Sequence, residues 1–367
     1  MISRKVFQII FLIFLLAFLS SPKFIFSAES NGPKEVRMEA VITKVIAEKN
    51  AKANGKTQIN QKIELSVIKG ELKNKKVVIE TGEIAISSSV EYRVGDKVFL
   101  VKTTNQGKDF FYIADFIRRE SLYLLFAIFT GLTILIGRKR GLASLIGMII
   151  SFFIIFNLVL NQILIGQNPI VITILASLFI IPITFYLSHG INKKTTAAVI
   201  GTVLALILTS ILAGVFVELT RLTGFASEEA VFIQSQRPDI INVKGLLYAG
   251  IIIGLLGILD DVTIGQAAIV YQLKKTSSKL TPRKLFSKAM DVGRDHIASM
   301  VNTLVLVYTG AAMPLLLLFI NNPRPFTDII NNEIVAEEIV RTLVASIGLI
   351  LAVPITTFIA SYLFKND

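Results

Sequence analysis

From Ser121 to the C-terminus, apolar stretches of membrane length alternate with short charged connections. Before Ser121 the pattern differs: a basic-then-apolar start, followed by a polar region with short alternating strands. The long runs fall at about 121–137, 142–162, 169–187, 195–217, 245–271, 297–320 and 338–363, which predicts seven membrane-spanning helices. The second, with Gly and Ser near its start, is expected to be tilted or partly re-entrant. Pro182, Pro314 and Pro354 fall inside spans, where prolines are tolerated as kinks.

Residues 1–28 read as a signal sequence or N-terminal anchor: Arg4 and Lys5, an apolar stretch from Val6 to Leu19, and small residues at Ser27-Ala28. Residues 29–118 form a second domain. Its strand candidates are Val36–Ala47, Thr57–Val67, Lys76–Glu80, Lys97–Lys102 and Phe110–Ala114, separated by Gly, Asn and Lys turns. Five short strands in so small a region suggest an OB-like barrel. Residues 119–367 form the multi-spanning domain. The predicted fold class is therefore an α-helical polytopic membrane protein carrying a small, mainly β extracytoplasmic domain.

Composition agrees with this class. Of 367 residues, 53% are hydrophobic and mean hydropathy is +0.67, too apolar for a soluble domain. The formal net charge of +12 is concentrated in alternate connections. Arg138-Lys139-Arg140, Lys193-Lys194, the run Lys274–Arg294 and Lys365 lie on one side; Glu218, Glu228, Glu229, Asp239, Asp328, Glu333, Glu337 and Glu338 mark the other. The positive-inside rule makes the basic side cytoplasmic and the β domain extracytoplasmic. This distribution leaves no reason to invoke nucleic acid. The chain has no Cys, which excludes thiol chemistry and disulfides, and only two His, so neither a metal site nor a cofactor is expected.

The candidate chemistry lies in the fifth span, Gly245–Tyr271, which carries Asp260 and Asp261 near its middle. An acid there costs about 2.5–3.5 kcal/mol on insertion scales and usually faces the bundle interior. Gly250, Gly254, Gly257, Asp261 and Gly265 follow at steps of three or four and share one face. Such a stripe predicts a close helix–helix seam, with Asp261 in line with it and Asp260 turned away. In the sixth span Asn302 and Thr303, with Ser299, are expected to form a polar seam facing Asp261; Arg294 and Asp295 precede them as interface or gating residues. Ser227 is a candidate cap for a short helix starting at Glu228-Glu229, and Thr281-Pro282 for a short amphipathic one. Glu337, Glu338 and Arg341 are spaced to pair locally.

An aspartyl-protease reading fails. Adjacent residues of one helix point about 100° apart and cannot converge as a dyad. No phosphate-binding loop, His-Glu-x-x-His or nucleophile elbow is present, and no enzymatic activity is expected.

The run Leu247-Tyr-Ala-Gly-Ile-Ile-Ile-Gly-Leu-Leu-Gly257 through Asp261-Val262, the basic loop after it, and Gly293-Arg294-Asp295 with Asn302-Thr303-Leu304 together resemble the bacterial YibE/F-like membrane proteins. Ser227-Glu228-Glu229-Ala230 and Asn192-Lys193-Lys194-Thr195 fit as well. The resemblance covers roughly 122–363 and implies polytopic proteins with an external N-terminal domain, often supposed to be permeases. It aligns Asp261 with the family's acid, usually preceded by an apolar residue where this chain has Asp260. The expected function is secondary transport, with Asp261 as the coupling carboxylate and protons or cations as coupling partners. The alternative is a non-enzymatic envelope or assembly protein whose β domain binds a partner and whose bundle anchors it. The expected partners are the lipid bilayer and either a second copy of the chain or an envelope protein.

Overall fold

The computed structural model describes residues 35–53, 56–81, 90–105, 108–238, 240–320 and 325–365, so the signal-sequence expectation for 1–28 lies outside the described residues. The chain divides into two compact units, with the division between Gly131 and Leu132. That is inside a helix, some way beyond the change from strand to helix at 117–119.

The first unit contains β1 (Val36–Ala53), β2 (Lys56–Lys69), β3 (Lys76–Thr81), β4 (Lys97–Asn105) and β5 (Lys108–Phe116). They form one antiparallel sheet in the order β3-β2-β1-β4-β5. All five expected strands are present, and β1 and β2 run longer than their alternation suggested. Met38, Ala40 and Ile42 of β1 point to the same face as Ile63, Leu65 and Val67 of β2, Val77 and Ile79 of β3, and Val98 and Leu100 of β4, all buried. This is the two-residue period of a strand expressed as a core. The sheet curls into a half-barrel whose edges β3 and β5 approach without pairing. Buried Gln61 accepts from Tyr92 N at 2.8 Å and donates to Tyr92 O at 3.2 Å, so an amide side chain pairs like a strand and pins the segment before β4. On the other face Glu39 receives both guanidinium nitrogens of Arg119, at 2.8 and 2.6 Å. That hydrogen bonding holds the Glu39 carboxyl below the usual carboxylate range.

The helices begin with α1 (Arg119–Ile154), then a π-helical turn Ile155–Leu160 and α2 (Asn161–Leu164). After these come α3 (Pro169–His189), α4 (Lys193–Leu219), α5 (Glu228–Gln236) and α6 (Val243–Thr276). The last are α7 (Pro282–Ala311), α8 (Met313–Ile320), α9 (Phe326–Ile330) and α10 (Glu333–Leu363). Asn168, Asn192, Asn242 and Asn332 cap α3, α4, α6 and α10, each side chain accepting from a first-turn amide. Ser227 caps α5 and Thr281 caps α7, both as expected.

The segmentation differs from the expected one in two places. The first two expected spans form one run, Arg119–Leu164, interrupted at Arg138 (φ 51°, ψ −132°). There the chain reverses so sharply that a methyl group on Gly141 would collide with the carbonyl of Thr133. The amphipathic segment opening at Thr281-Pro282 is not a separate short helix. It continues unbroken to Ala311 as α7, and the break falls later, where α8 leaves α7 at 70°. Among the described residues, five helical runs are long and apolar enough to cross a membrane, or six if the bent α7–α8 pair is one span.

In the second unit α6 packs on α3, α4 and α10, and α10 on α4 and α7. Ile252, Leu255, Leu259 and Val262 of α6 meet Leu206 of α4, Leu349 and Val353 of α10, and Leu285 and Ala289 of α7 in one buried cluster. Small and hydroxylated residues bring these helices close. A methyl on Gly348 of α10 would lie 2.6 Å from Thr209 Oγ1 of α4 and 3.0 Å from Leu255. One on Gly293 of α7 would lie 2.7 Å from Val353, and one on Gly201 of α4 would collide with Thr356. Within this seam the Thr202 and Thr263 hydroxyls bond at 2.6 Å, and Gln266 Nε2 donates to Thr357 Oγ1 at 2.7 Å and to Ala289 O at 3.0 Å. Hydrogen bonding between helices and close approach of small residues are the two forms of adhesion available where lipid removes a hydrophobic drive between helices.

Candidate functional site

The reversal at Arg138 returns the chain along itself and leaves Arg140 beside the end of α3. α3 ends in Thr184, Ser188 and His189, after which Gly190 (φ 75°) turns the chain into the Asn192 cap of α4. α6 supplies Asp260 and Asp261. These three elements enclose an open cavity of about 550 Å³ whose polar lining includes Arg140, Ser144, His189, Asp260 and Asp261. His189 lies within electrostatic range of Arg140, Lys194 and Asp261. The Thr184 hydroxyl is turned back on its own helix, donating to Ile180 O at 2.9 Å.

Both aspartates therefore face one space. Sequence spacing separates them, with Asp261 on the glycine stripe and Asp260 turned away, but the cavity spans the roughly 100° between successive helical residues. Asp260 is half-buried and Asp261 exposed to the cavity.

The glycine stripe itself is a correction. Nothing lies within 4 Å of a methyl placed on Gly250 or Gly257. Gly254 meets only the Tyr308 hydroxyl at 3.7 Å, and Gly265 only the His296 ring at 3.8 Å. These are ordinary contacts with the tips of long side chains, so no helix backbone approaches the stripe. Gly201, Gly293 and Gly348, by contrast, each stand against another helix with no room for a methyl.

Asn302 and Thr303 do not join the site either. Both are exposed on α7 and absent from the cavity lining, and Thr303 donates to Ser299 O of its own helix at 3.0 Å. A polar residue deep in an apolar stretch announces polarity but not azimuth, and α7 turns this side outward. Arg294 pairs with Asp291 at 2.7 Å one turn back, not with Asp295, and both Arg294 and Asp295 are exposed away from the cavity. Arg341 reaches Glu337 at 2.5 Å and Glu338 at 3.1 Å, the local pairing their spacing predicts.

Arg140, Ser144, Ser188 and His189 were not singled out by sequence. Arg140 reads as one more orienting charge, and His189 as an isolated histidine. The signal that points to them is the pairing of a basic reversal with a Ser-His-Gly helix end, opposite an acidic pair.

The chemistry available is a carboxylate pair, an imidazole and a guanidinium around one open cavity, with hydroxyls beside them. Such a set can take up and release protons, or hold a charged solute at both signs. Among the described residues, no three His, Asp or Glu side chains gather as a metal-holding group.

Long apolar helices packed through glycine and hydroxyl contacts define a polytopic α-helical membrane protein. The YibE/F-like protein family model matches residues 125–366, about two thirds of the chain, and the chain belongs to that family. No curated protein and no solved structure matches it.

Proposed function

We propose that this protein is a secondary transporter of the bacterial cell membrane, with Asp260 and Asp261 as the proton- or cation-coupling groups. The observation that carries the reading is the cavity: two carboxylates from a membrane helix open into a space shared with Arg140 and His189. Intramembrane acids on a water-filled path are the usual sites of ion coupling. Arg140 and His189 argue for protons over a metal cation, because a fixed guanidinium disfavours a second cation nearby and imidazole relays protons. Asn302 and Thr303 have no part in this version of the site. Counting the reversal at Arg138 as the join between two spans and the bent pair as one gives seven crossings. With the basic connections in the cytoplasm, the β unit is extracytoplasmic, the C-terminus cytoplasmic, and Asp260 and Asp261 open toward the cytoplasm.

The test is reconstitution into liposomes carrying an imposed pH gradient and a pH-reporting dye, with a panel of small charged and polar solutes. A transported solute dissipates the gradient. Asp260→Asn and Asp261→Asn should each lower solute-driven proton movement at least tenfold, a loss of about 1.4 kcal/mol or more in the coupling step. If both variants keep the wild-type rate and pH dependence, the carboxylate role is wrong.

A further inference from the structure

Basic residues from three helices gather around the aspartate cavity. Arg140 of α1 and His189 of α3 line it, and Lys194 of α4 lies within electrostatic range of both. Among the described residues, neither Arg140 nor Lys194 has a hydrogen bond or an ion pair, although two carboxylates line the same space. Other cations of the helical unit do find partners. Lys244 pairs with Glu218 at 2.6 Å, Arg341 with Glu337 and Glu338, and Lys274 donates to Ser278 O at 2.9 Å. At the cavity, charges of opposite sign share one space and do not touch.

Like charges gathered without a counter-ion repel one another. The reversal at Arg138 brings Arg140 here and the Asn192-capped start of α4 brings Lys194, so backbone geometry holds the two together. A guanidinium offers paired N–H donors that match a carboxylate or phosphate, and the Ser144 and Ser188 hydroxyls line the same space. The aspartates oppose such a guest only while ionised. Arg140 and Lys194 then balance Asp260 and Asp261, and each proton taken up leaves one positive charge in excess. Few other charges bear on this balance. Arg138, Lys139 and Lys193 are neighbours in sequence and of the same sign. α3 has only His189, α4 has none between Lys194 and Glu218, and α10 has none between Arg341 and Lys365. On α7, His296 stands beside Gly265, one turn further along α6, and Arg294 and Asp295 do not line the cavity.

We infer that the carried solute is a small oxyanion, a carboxylate or a phosphate, bound at Arg140 with Lys194 and His189 beside it, and admitted once Asp260 or Asp261 has taken a proton. The inference rests on the transport reading, for which it supplies the substrate class. Proton and anion enter together because each favours the other. The proton removes the repulsion between carboxylate and anion, and the anion neutralises the positive charge left in excess. The linkage is reciprocal, so affinity for the anion rises as the medium is acidified.

The chain has no Cys, so a single cysteine reports the sign of the field around it against a silent background. Ser144→Cys and Ser188→Cys each place one on the cavity wall, and either serves if the other fails to fold. The probes are two methanethiosulfonates of similar size, the anionic sulfonatoethyl and the cationic trimethylammonioethyl, applied to the purified full-length protein in detergent. Their rate ratio is divided by that for a free thiol in the same buffer. At about pH 5 it should favour the anionic reagent about tenfold or more, the enrichment expected of a cleft of one sign. It should fall toward unity at about pH 8, where ionised carboxylates balance the cations. Asp260→Asn combined with Asp261→Asn should hold the ratio high at both. Arg140→Ala should lower it at the acid end by about threefold or more, and Arg140→Lys should restore it. His189→Gln should keep the pH dependence, which separates the imidazole from the carboxylates. At constant ionic strength, inorganic phosphate or acetate should slow the anionic reagent, and acetamide, the uncharged analogue of acetate, should not. The anion that protects assigns phosphate or carboxylate. A ratio favouring the cationic reagent at the acid end, indifference to Arg140→Ala, or protection by neither anion overturns the oxyanion site. A pH dependence that survives the double asparagine variant, or vanishes in His189→Gln, overturns its coupling to the aspartates. None of these rates requires transport. Failure here is therefore distinguishable from failure of the aspartate variants to alter proton movement.

Discussion

α6 has two unlike faces. One carries Leu255, Leu259, Thr263 and Gln266 and is sealed against α4, α7 and α10, with hydroxyls and an amide bonded across the seam. The other carries Gly250, Gly257 and Asp261 and meets open space or a cavity. Both faces are polar for a membrane helix, yet the polarity differs in kind. Neutral groups that satisfy one another hold helices together, and ionisable groups are kept where water and solute can reach them. The small residues divide the same way. Gly201, Gly293 and Gly348 are needed because another helix is there; Gly250 and Gly257 are not.

The largest effect that tests this contrast is Gly348→Leu. Its side chain would have to displace Thr209 and Leu255, and overpacking of this kind costs about 1–3 kcal/mol or prevents folding. The thermal midpoint in detergent should fall well below wild type. A midpoint within a degree of wild type would break the picture of a sealed face.

Next in size is Gln266→Leu, which removes the donor to Thr357 and Ala289. Interhelical hydrogen bonds in membranes average about 0.6 kcal/mol, so the loss should be about 1 kcal/mol. A stabilised variant would mean that the unpartnered Gln266 Oε1 costs more than the two donated bonds return.

Asp261→Asn should change stability by less than about 0.5 kcal/mol, as exposed substitutions do, while changing coupled proton movement strongly. A large drop in the midpoint would assign Asp261 to the framework instead of the cavity. The smallest effect on coupled proton movement belongs to Gly250→Ala and Gly257→Ala, which should leave it unchanged. With nothing within 4 Å, each should be neutral or slightly stabilising, because Ala is better than Gly in a helix by about 0.8–1.0 kcal/mol. If either destabilises the protein as Gly348→Leu does, a partner helix occupies that stripe in the membrane.

The strands were legible because alternation states both the element and its inward face: Met38, Ala40 and Ile42 need no partner to be recognised as one side. The helices were legible as lengths, and Ser227 and Thr281-Pro282 as starts. What could not be read was direction. The spacing of Gly250, Gly254, Gly257 and Gly265 places them together but is silent on what stands opposite. Asn302 and Thr303 are polar on an apolar helix whose rotation only its neighbours decide. Thr202, Thr263 and Gln266 carry no mark of being partners, since the bonds join helices far apart in sequence. The length of α7 was not legible either: the spacing gives only a short amphipathic helix at Thr281-Pro282, whereas Leu285, Ala289 and Gly293 begin a buried side that continues to Leu304 in one helix.

The caps of the long helices have a consequence for any study of acidity. α3, α4, α6 and α10 all start on asparagine. An aspartate would accept at least as well while ionised, but it becomes a weaker acceptor when protonated, and its hold on the first turn would slacken as protons are added. The amide has no such dependence. The capping bonds at the starts of these helices are thus indifferent to acidification, and a proton signal in the bundle has fewer places to originate than the number of its helices would suggest.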